Sequence, residues 1–312
     1  MPRLKVLRPG MLTTVQDCGR RGHQARGVPV SGAMDVYSHR LANLLVGNDE
    51  SAATLEITLL GPQLEFDSHT RFALTGAAFT MMLDAKLIPM NESVEARPGS
   101  CLRFGDRMRG ARAYLAVQGG IDVPSVLNSR STHIVSAMGG YQGRALRAGD
   151  MLPFEKGSGS FNRGLTPLTL AGVRPLLTPG PLFLPDGGAR LRVIPGEYGD
   201  LLAGKRYIIS PQSNRMGYRL DGPSLSTGAR EMLSSAVPTG TVQVPAGGQP
   251  ILLMNDHATV GGYPIAATVI TADLSLAGQL APGDWIEFEP CSLDIADSAY
   301  REQERRFHGD AV

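Results

Sequence analysis

Five polar clusters stand out, each in turn-like sequence where a β scaffold presents its working groups. The first is Thr13-Thr14-Val15-Gln16-Asp17, followed by Gly19-Arg20. Next come Pro29-Val30-Ser31-Gly32-Ala33-Met34-Asp35 and Gln118-Gly119-Gly120. The last two are Ser210-Pro211-Gln212-Ser213-Asn214-Arg215-Met216-Gly217-Tyr218, and Asn255-Asp256-His257 with Gly261-Gly262-Tyr263-Pro264. Taken singly, such residues often only satisfy strand ends or permit a positive φ. Taken together they share one chemistry. Gln, Asn, Ser and Arg are neutral or fixed-charge hydrogen-bonders suited to an amide, ureido or carboxylate group, with Arg gripping a carboxylate through two parallel bonds. The same groups suit an oxyanion. Asp17, Asp35 and Asp256 are the candidate catalytic carboxylates for proton transfer. Gln16, Arg20, Ser31, Gln118, Gln212, Ser213, Arg215, Gly261, Gly262 and Tyr263 are candidate substrate-binding residues.

Other chemistries find little support. Gly199-Asp200-Leu201-Leu202-Ala203-Gly204-Lys205 has phosphate-loop spacing, but Arg206 stands where a Ser or Thr holds Mg²⁺, and Tyr207-Ile208-Ile209-Ser210 reads as a strand, not a helix. His23, His39, His69, His133, His257 and His308 show no close pairing and no Cys pair exists, so no metal site is expected. No Gly-x-Ser-x-Gly elbow is present. Gly157-Ser158-Gly159 lacks the third glycine of a dinucleotide fingerprint, because Asn162 occupies its place. Positive charge is carried almost wholly by Arg. The lysines are Lys5, Lys86, Lys156 and Lys205, which weakens a covalent-lysine chemistry.

The elements that position these groups read as mainly β. Gly (38) and Pro (22) punctuate short strand-like runs throughout the chain. Strands are expected at Leu4–Leu7, Leu64–Phe66, Arg71–Leu74, Arg112–Val117, Leu191–Ile194, Tyr207–Ser210, Ile251–Met254 and Ala267–Thr271. One helix is expected from Asp35 to Val46, capped by Asp35, striped by Leu41, Leu44 and Leu45, and stopped by Gly47-Asn48. A second, weaker helix is expected over Leu274–Leu280. One device recurs three times: Arg97-Pro98-Gly99-Ser100, Arg147-Ala148-Gly149-Asp150 and Ala281-Pro282-Gly283-Asp284. Each is a glycine turn leading into an alternating strand that ends in Phe104, Phe154 or Phe288. Leu60-Gly61-Pro62-Gln63-Leu64 echoes Asp221-Gly222-Pro223-Ser224-Leu225, and Val6-Leu7-Arg8-Pro9-Gly10 loosely echoes Val193-Ile194-Pro195-Gly196. These echoes predict two β-rich lobes. The first covers 1–185 and takes in much of a long connection over Glu155–Ala189; the second is a barrel over 186–312.

Bulk properties agree. The chain has 312 residues, 42% apolar and 19% charged, with a formal net charge of +1. That is a globular composition without a nucleic-acid or anionic-membrane footprint. Three dispersed cysteines, Cys18, Cys101 and Cys291, suit a reducing compartment. There is no apolar leader at Met1-Pro2-Arg3-Leu4-Lys5 and no run of membrane-span length, so a cytoplasmic protein is expected.

The same segments carry a family likeness. Thr13-Thr14-Val15-Gln16-Asp17-x-Gly19-Arg20, Gly27-Val28-Pro29-x-Ser31-Gly32-Ala33-Met34-Asp35, Arg40 to Asn48 and Leu55-Glu56-Ile57-Thr58 resemble the opening of the allophanate hydrolase subunit 2 family. That family is also called KipA-like, or the C component of 5-oxoprolinase, and is similar to half of the carboxyltransferase domain of urea carboxylase. Leu74-Thr75-Gly76-Ala77, Ala116 to Ile121, Ser210 to Leu220, Gln243-Val244-Pro245, Gly248-Gln249-Pro250-Ile251 and Gly261-Gly262-Tyr263-Pro264 agree in order. The resemblance runs from about residue 4 to residue 288 and adds Gln243 to the substrate-binding candidates. Two departures are local. His257-Ala258 stands where many members have Arg-Gln, and Ile265 stands where a basic residue is common.

The resemblance implies a cyclophilin-like β-barrel fold present twice, and a partner of the KipI-like (allophanate hydrolase subunit 1) type. It further implies a LamB/YcsF-like third protein, the three forming an ATP-dependent 5-oxoprolinase that opens 5-oxoproline to glutamate. Such a chain is expected to be an amide-hydrolase subunit, inactive alone, with ATP bound by the complex. Gln16, Arg20, Gln212 and Arg215 would then hold the substrate. Two other readings remain: carboxyl transfer to a urea-like acceptor, which needs a separate biotin carrier because the chain has no Met-Lys dipeptide, and non-catalytic regulation through a KipI-like kinase inhibitor.

Overall fold

The computed structural model describes residues 1–155, 184–227 and 233–308. The chain divides into two compact units: Met1–Arg20 with Ser31–Leu184, and Arg21–Val30 with Pro185–Val312. Most of the expected connection over Glu155–Ala189, with Gly157-Ser158-Gly159, lies outside the described residues. The secondary structure is mainly β, as expected from the sequence.

The first unit is built on a nine-stranded curled sheet. Its main path runs β2 (Leu12–Gln16), β3 (Thr54–Thr58), β8 (Cys101–Val117), β4 (Gln63–Phe66), β1 (Arg3–Arg8), β9 (Met151–Pro153). β5 (Thr70–Leu83) pairs with β8 and also carries β6 (Lys86–Ile88) and β7 (Ser93–Ala96). Three register shifts between Gly76 and Met81 interrupt the β5–β8 ladder. Such bulges bend a strand and increase its twist. One long β8 therefore pairs with β4 at Cys101–Arg103 and with β3 at Arg112–Leu115.

Alternation along β8 explains why both of its faces are apolar. Ala113, Leu115 and Val117 join Leu55, Ile57, Leu64, Phe66, Phe72 and Leu74 in the main core. Tyr114 and Ala116 face the other way and pack with Ala33, Ala42, Val46 and Ala73. The small residues in that second layer allow helix α1 (Val36–Leu45) to lie close to the sheet.

The second unit is a closed seven-stranded barrel. Its order is β10 (Gly188–Pro195), β17 (Ile265–Val269), β14 (Thr241–Gln243), β15 (Ile251–Leu253), β12 (Gly217–Asp221), β11 (Arg206–Ile209), β18 (Trp285–Pro290). Parallel pairing of β10 with β18, from Gly188↔Trp285 to Val193↔Pro290, closes the ring. Gly188 is required there, since a Cβ would sit 2.3 Å from the Trp285 ring. Helix α2 (Thr271–Gly278) follows β17, and Asp273 ties it back to β10 by accepting from the Arg192 backbone and guanidinium. A two-stranded pair, β13 (Ser235–Ala236) with β16 (Val260–Gly261), completes this unit's strands.

The recurrent turn has one geometry in all three copies. The fourth residue's N–H donates to the first residue's carbonyl: Ser100 to Arg97, Asp150 to Arg147, Asp284 to Ala281. The third-position glycines have φ of 84, 90 and 92°, as a type II turn demands. The fourth side chain accepts from the first N–H: Ser100 Oγ from Arg97, Asp150 Oδ2 from Arg147, Asp284 Oδ2 from Ala281. Each glycine N–H then donates to a residue of a neighbouring strand, Phe66, Val6 or Ile209, whose own N–H donates back to the fourth carbonyl. The tetrapeptide is thus a clip that fastens a following strand to an earlier one, twice in the first unit and once in the second.

All eight expected strands fall on observed ones, but three run past the observed end: Ser210 lies beyond β11, Met254 beyond β15, and Ile270 and Thr271 beyond β17, with Thr271 starting α2. The expected helix over Leu274–Leu280 begins three residues earlier, at Thr271, because the chain leaves the β17 ladder at Ile270 in an extended conformation that serves as the helix cap. The phosphate-loop-like segment is a 3-10 turn at Gly199–Leu201 followed by strand β11, so it lacks the helix such a loop requires. A sixteen-residue helix, α3 (Leu293–His308), was not anticipated.

Candidate functional site

In the first unit, β2 delivers Gln16 and Asp17 to the segment 126–132. Asp17 is saturated: Oδ1 accepts from Gly19 N (2.8 Å), Ser129 Oγ (2.7 Å) and Ser131 Oγ, and Oδ2 accepts from Arg130 N (2.5 Å). Arg20 is fully buried and donates Nε to the Val126 carbonyl and Nη2 to the Ser131 carbonyl. Asp17 and Arg20 together hold one loop in place. Gln16 donates Nε2 to Thr14 Oγ1 and to the Thr132 carbonyl, while its buried Oε1 has no hydrogen-bond partner.

Ser31 lies in the segment that follows. It is 1% exposed, its φ is +57°, and its Oγ has no hydrogen-bond partner. Non-glycine residues adopt such a φ at a cost, and they concentrate at functional positions. Gly32 is obligatory beside it: its φ is +86° and a Cβ would stand 2.9 Å from the Gly19 backbone. The segment is fastened at three successive amides. Ala33 N donates to the Asp17 carbonyl, Met34 N to Glu56 Oε2 and Asp35 N to Tyr114 Oη. Asp35 then caps α1, as expected, accepting from Ser38 N (2.9 Å) and Ser38 Oγ (2.6 Å).

Behind this segment lies a buried polar group that sequence reasoning did not single out. Tyr114 Oη donates to Glu56 Oε2 (2.8 Å), and Arg112 Nε stands 3.9 Å from Glu56 Oε1. Burial, with the Glu56 and Asp35 charges adding to it, pushes the Tyr114 hydroxyl well above its ordinary range, so it stays a donor. His39 Nδ1 pairs with Thr54 Oγ1 at 2.8 Å, and burial lowers the His39 pKa to about 4 despite Asp17 and Glu56 nearby. The available signal was β3 itself: Glu56 is a charge set in an apolar run, and all five residues of that strand are buried. Gln118 follows β8 half-buried, and its side chain makes no hydrogen bond to the groups just described.

In the second unit, Arg215 and Asp256 find each other. Arg215 Nε donates to Asp256 Oδ2 (2.9 Å) and Nη2 to Oδ1 (3.1 Å), and both side chains are almost wholly buried. The guanidinium expected to take a substrate carboxylate therefore grips an internal one, and the carboxylate expected to move a proton is the counter-ion of a fixed cation. His257 bridges Thr239 Oγ1 and the Ala258 carbonyl, and burial lowers its pKa. Gln243 lies on β14 with its carboxamide flat against Gly261, where a Cβ would come within 2.4 Å of Nε2. That Nε2 is buried without a hydrogen-bond partner. Gln212 is exposed, Ser213 Oγ accepts from Arg219 N (3.0 Å), Gly262 is half-buried and Tyr263 is 50% exposed. Inside the barrel, Tyr207 Oη has no partner, and burial raises its pKa to about 12.

Three of the expected substrate-binding residues carry a neutral buried atom without a hydrogen-bond partner: Gln16 Oε1 and Ser31 Oγ in the first unit and Gln243 Nε2 in the second. Such groups recognise amides and carboxylates by hydrogen bonding without supplying net charge.

Known proteins place the chain. The family description "Carboxyltransferase domain, subdomain A and B" matches residues 26–290. The chain is 42% identical to the C component of the 5-oxoprolinase of Escherichia coli, over 97% of this chain and 96% of that one. It is 34% identical to the urea amidolyase of Saccharomyces cerevisiae over 96% of its own length but only 17% of the relative's. Among solved structures, the Kluyveromyces lactis urea carboxylase superposes with a TM-score of 0.86 at 32% identity, covering 99% of this chain and 30% of that one. The chain belongs to the carboxyltransferase-domain family, subdomains A and B, together with the proteins named as the C component of 5-oxoprolinase.

Proposed function

We propose that this chain is the C component of an ATP-dependent 5-oxoprolinase, acting with a KipI-like subunit and a LamB/YcsF-like subunit. The observation that carries this reading is the near end-to-end overlap, in both directions, with the bacterial protein of that name. The chemistry of the unpartnered atoms supports it. A five-membered lactam presents one N–H and one C=O, and 5-oxoproline adds a carboxylate. In the first unit, Gln16 Oε1 accepts from an N–H and Ser31 Oγ donates or accepts.

The lactam carbon is a poor electrophile because its nitrogen lone pair is delocalised. Transfer of the ATP γ-phosphoryl group to the amide oxygen removes that protection. Water then adds to the carbon, the C–N bond opens with the nitrogen leaving as the amine to give a γ-glutamyl phosphate, and a second water releases phosphate and glutamate. In this reading the chain holds the substrate or the activated amide, and the complex supplies ATP. In this reading Asp17, Asp35, Asp256, Arg20 and Arg215 act through the internal contacts described above, which hold the loops and the helix start that carry the site. The chain alone is expected to be inactive.

A second reading rests on the family description and the urea carboxylase relatives: carboxyl transfer from a separate biotin carrier to a urea-like acceptor. Co-purification of the chain with its two proposed partners, followed by an assay of ATP-dependent glutamate release from 5-oxoproline, separates the two. Glutamate release that needs all three proteins is expected. A well-formed complex that releases none, yet carboxylates urea when given a biotinylated carrier, would overturn the proposal in favour of carboxyl transfer. Binding to a kinase inhibitor with no turnover of either kind would leave the regulatory role.

A further inference from the structure

Ser31 is held in a conformation that L residues resist, with a buried hydroxyl that no protein group uses. A serine free to relax would leave the left-handed region or turn its hydroxyl to an acceptor. Something outside the residue must hold it. The three consecutive amides after Gly32 show what does so, and two of them end on the same pair of side chains. Glu56 Oε2 accepts from Met34 N (2.8 Å) and from Tyr114 Oη (2.8 Å), while Tyr114 Oη accepts from Asp35 N (2.8 Å). Glu56 is 1% exposed and Tyr114 0%, on adjacent strands β3 and β8 where they are direct register partners. The carboxylate and the phenol thus form a rigid bracket on the sheet, and the 31–35 segment hangs from it. The helix start is tied to the same platform, because Thr75 Oγ1 donates to the Ser38 carbonyl.

We infer that Glu56 and Tyr114 are positioning residues that fix the 31–35 segment so that the Ser31 hydroxyl is presented to an amide-type substrate. This rests on the reading that Ser31 contacts the substrate. A phenol suits the task because its single oxygen donates to Glu56 and accepts from Asp35 N at once, which neither Phe nor a carboxylate does.

Two measurements test it. Crystal structures of the full-length Tyr114→Phe and Glu56→Gln proteins read the Ser31 φ directly. In Tyr114→Phe the Asp35 amide loses its acceptor, and Ser31 is expected to leave the left-handed region. Glu56→Gln replaces a charged acceptor by a neutral one of the same shape, so it serves as the conservative variant if Tyr114→Phe folds poorly. Retention of φ near its native value in both would overturn the inference. In the reconstituted three-protein complex, Tyr114→Phe should raise KM for 5-oxoproline about tenfold while the KM for ATP stays unchanged. Combined with Ser31→Ala it should cost no more than either change alone. Losses that multiply, or a fall in kcat with KM unchanged, would also overturn it. A wild-type complex without turnover removes the oxoprolinase reading instead, and the Ser31 φ then decides this inference by itself.

Discussion

Arg215 and Asp256 show how burial decides what a charged residue is for. Each ion loses hydration on entering the fold, and the bidentate contact between them offsets that loss. Asp256→Ala should therefore destabilise the chain by about 3–5 kcal/mol, by removing the buried carboxylate that the guanidinium grips with two bonds. Replacing both, as Arg215→Met with Asp256→Leu, should recover most of it, since a well-packed apolar pair is often neutral. Urea midpoints of the two proteins check this. An Asp256→Ala protein as stable as wild type would mean that the pair contributes little and that Asp256 is retained for chemistry. No sequence pattern revealed the pair, because its members are 41 residues apart and meet only after β12 and β15 are in register. Glu56 and Tyr114, 58 apart, escaped notice for the same reason. The Asp35 cap was readable in advance because its partner is three residues away. What the sequence showed at the residue scale was the type of chemistry and the segments that carry it; the partner of each group came from the register of the sheets.

The three glycine turns are elements that the sequence did display, because everything defining them is local: a φ-restricted second position, a glycine third and an oxygen-bearing fourth. In two copies the second residue is proline, Pro98 or Pro282, and in one it is Ala148. Ala148 is exposed, and among the described residues its N–H finds no acceptor. Ala148→Pro should therefore stabilise the protein by about 0.4–1 kcal/mol through the unfolded chain, with no change in the folded contacts. Gly99→Ala, Gly149→Ala and Gly283→Ala should each cost roughly 1 kcal/mol, because a Cβ at each meets open space and only the positive φ resists it. Denaturant midpoints of the four variants give the comparison, and a destabilising Ala148→Pro would mean that the Arg147–Asp150 turn differs from the other two. Helix α3 was missed for a related reason. Its sequence is dominated by charged residues, with Asp297–Arg301 and Glu302–Arg306 paired one turn apart, and only Phe307 is fully buried. Periodicity reveals a helix through its apolar stripe, and this one carries too narrow a stripe to be read.

At the scale of the whole molecule, two buried histidines set where the response to acid begins. The His39 pKa is lowered to about 4 and that of His257 is lowered as well, both chiefly by burial. The sign follows from which state binds the proton. As pH falls through about 6.5 the unfolded chain protonates at these positions, while folded His39 stays neutral until about pH 4. The unfolded state thus binds more protons across that window, and stability falls as pH drops through it and is fully present above it. For His39 the full shift corresponds to about 3 kcal/mol. The carboxylates held low by partners, Asp150 by Arg144 and Glu287 by Arg190 and Arg206, act with the same sign but mainly at lower pH, as their own ionisation is lost. Acid sensitivity should therefore begin near pH 6, above the carboxylate range. His39→Asn keeps a polar atom for Thr54 and removes the titration, so it should lose less stability than wild type between pH 7.5 and pH 5. Urea midpoints for both proteins at the two pH values measure this. Equal losses would place the acid response in groups other than His39, and would mean that the second layer between α1 and the sheet admits a charged imidazole.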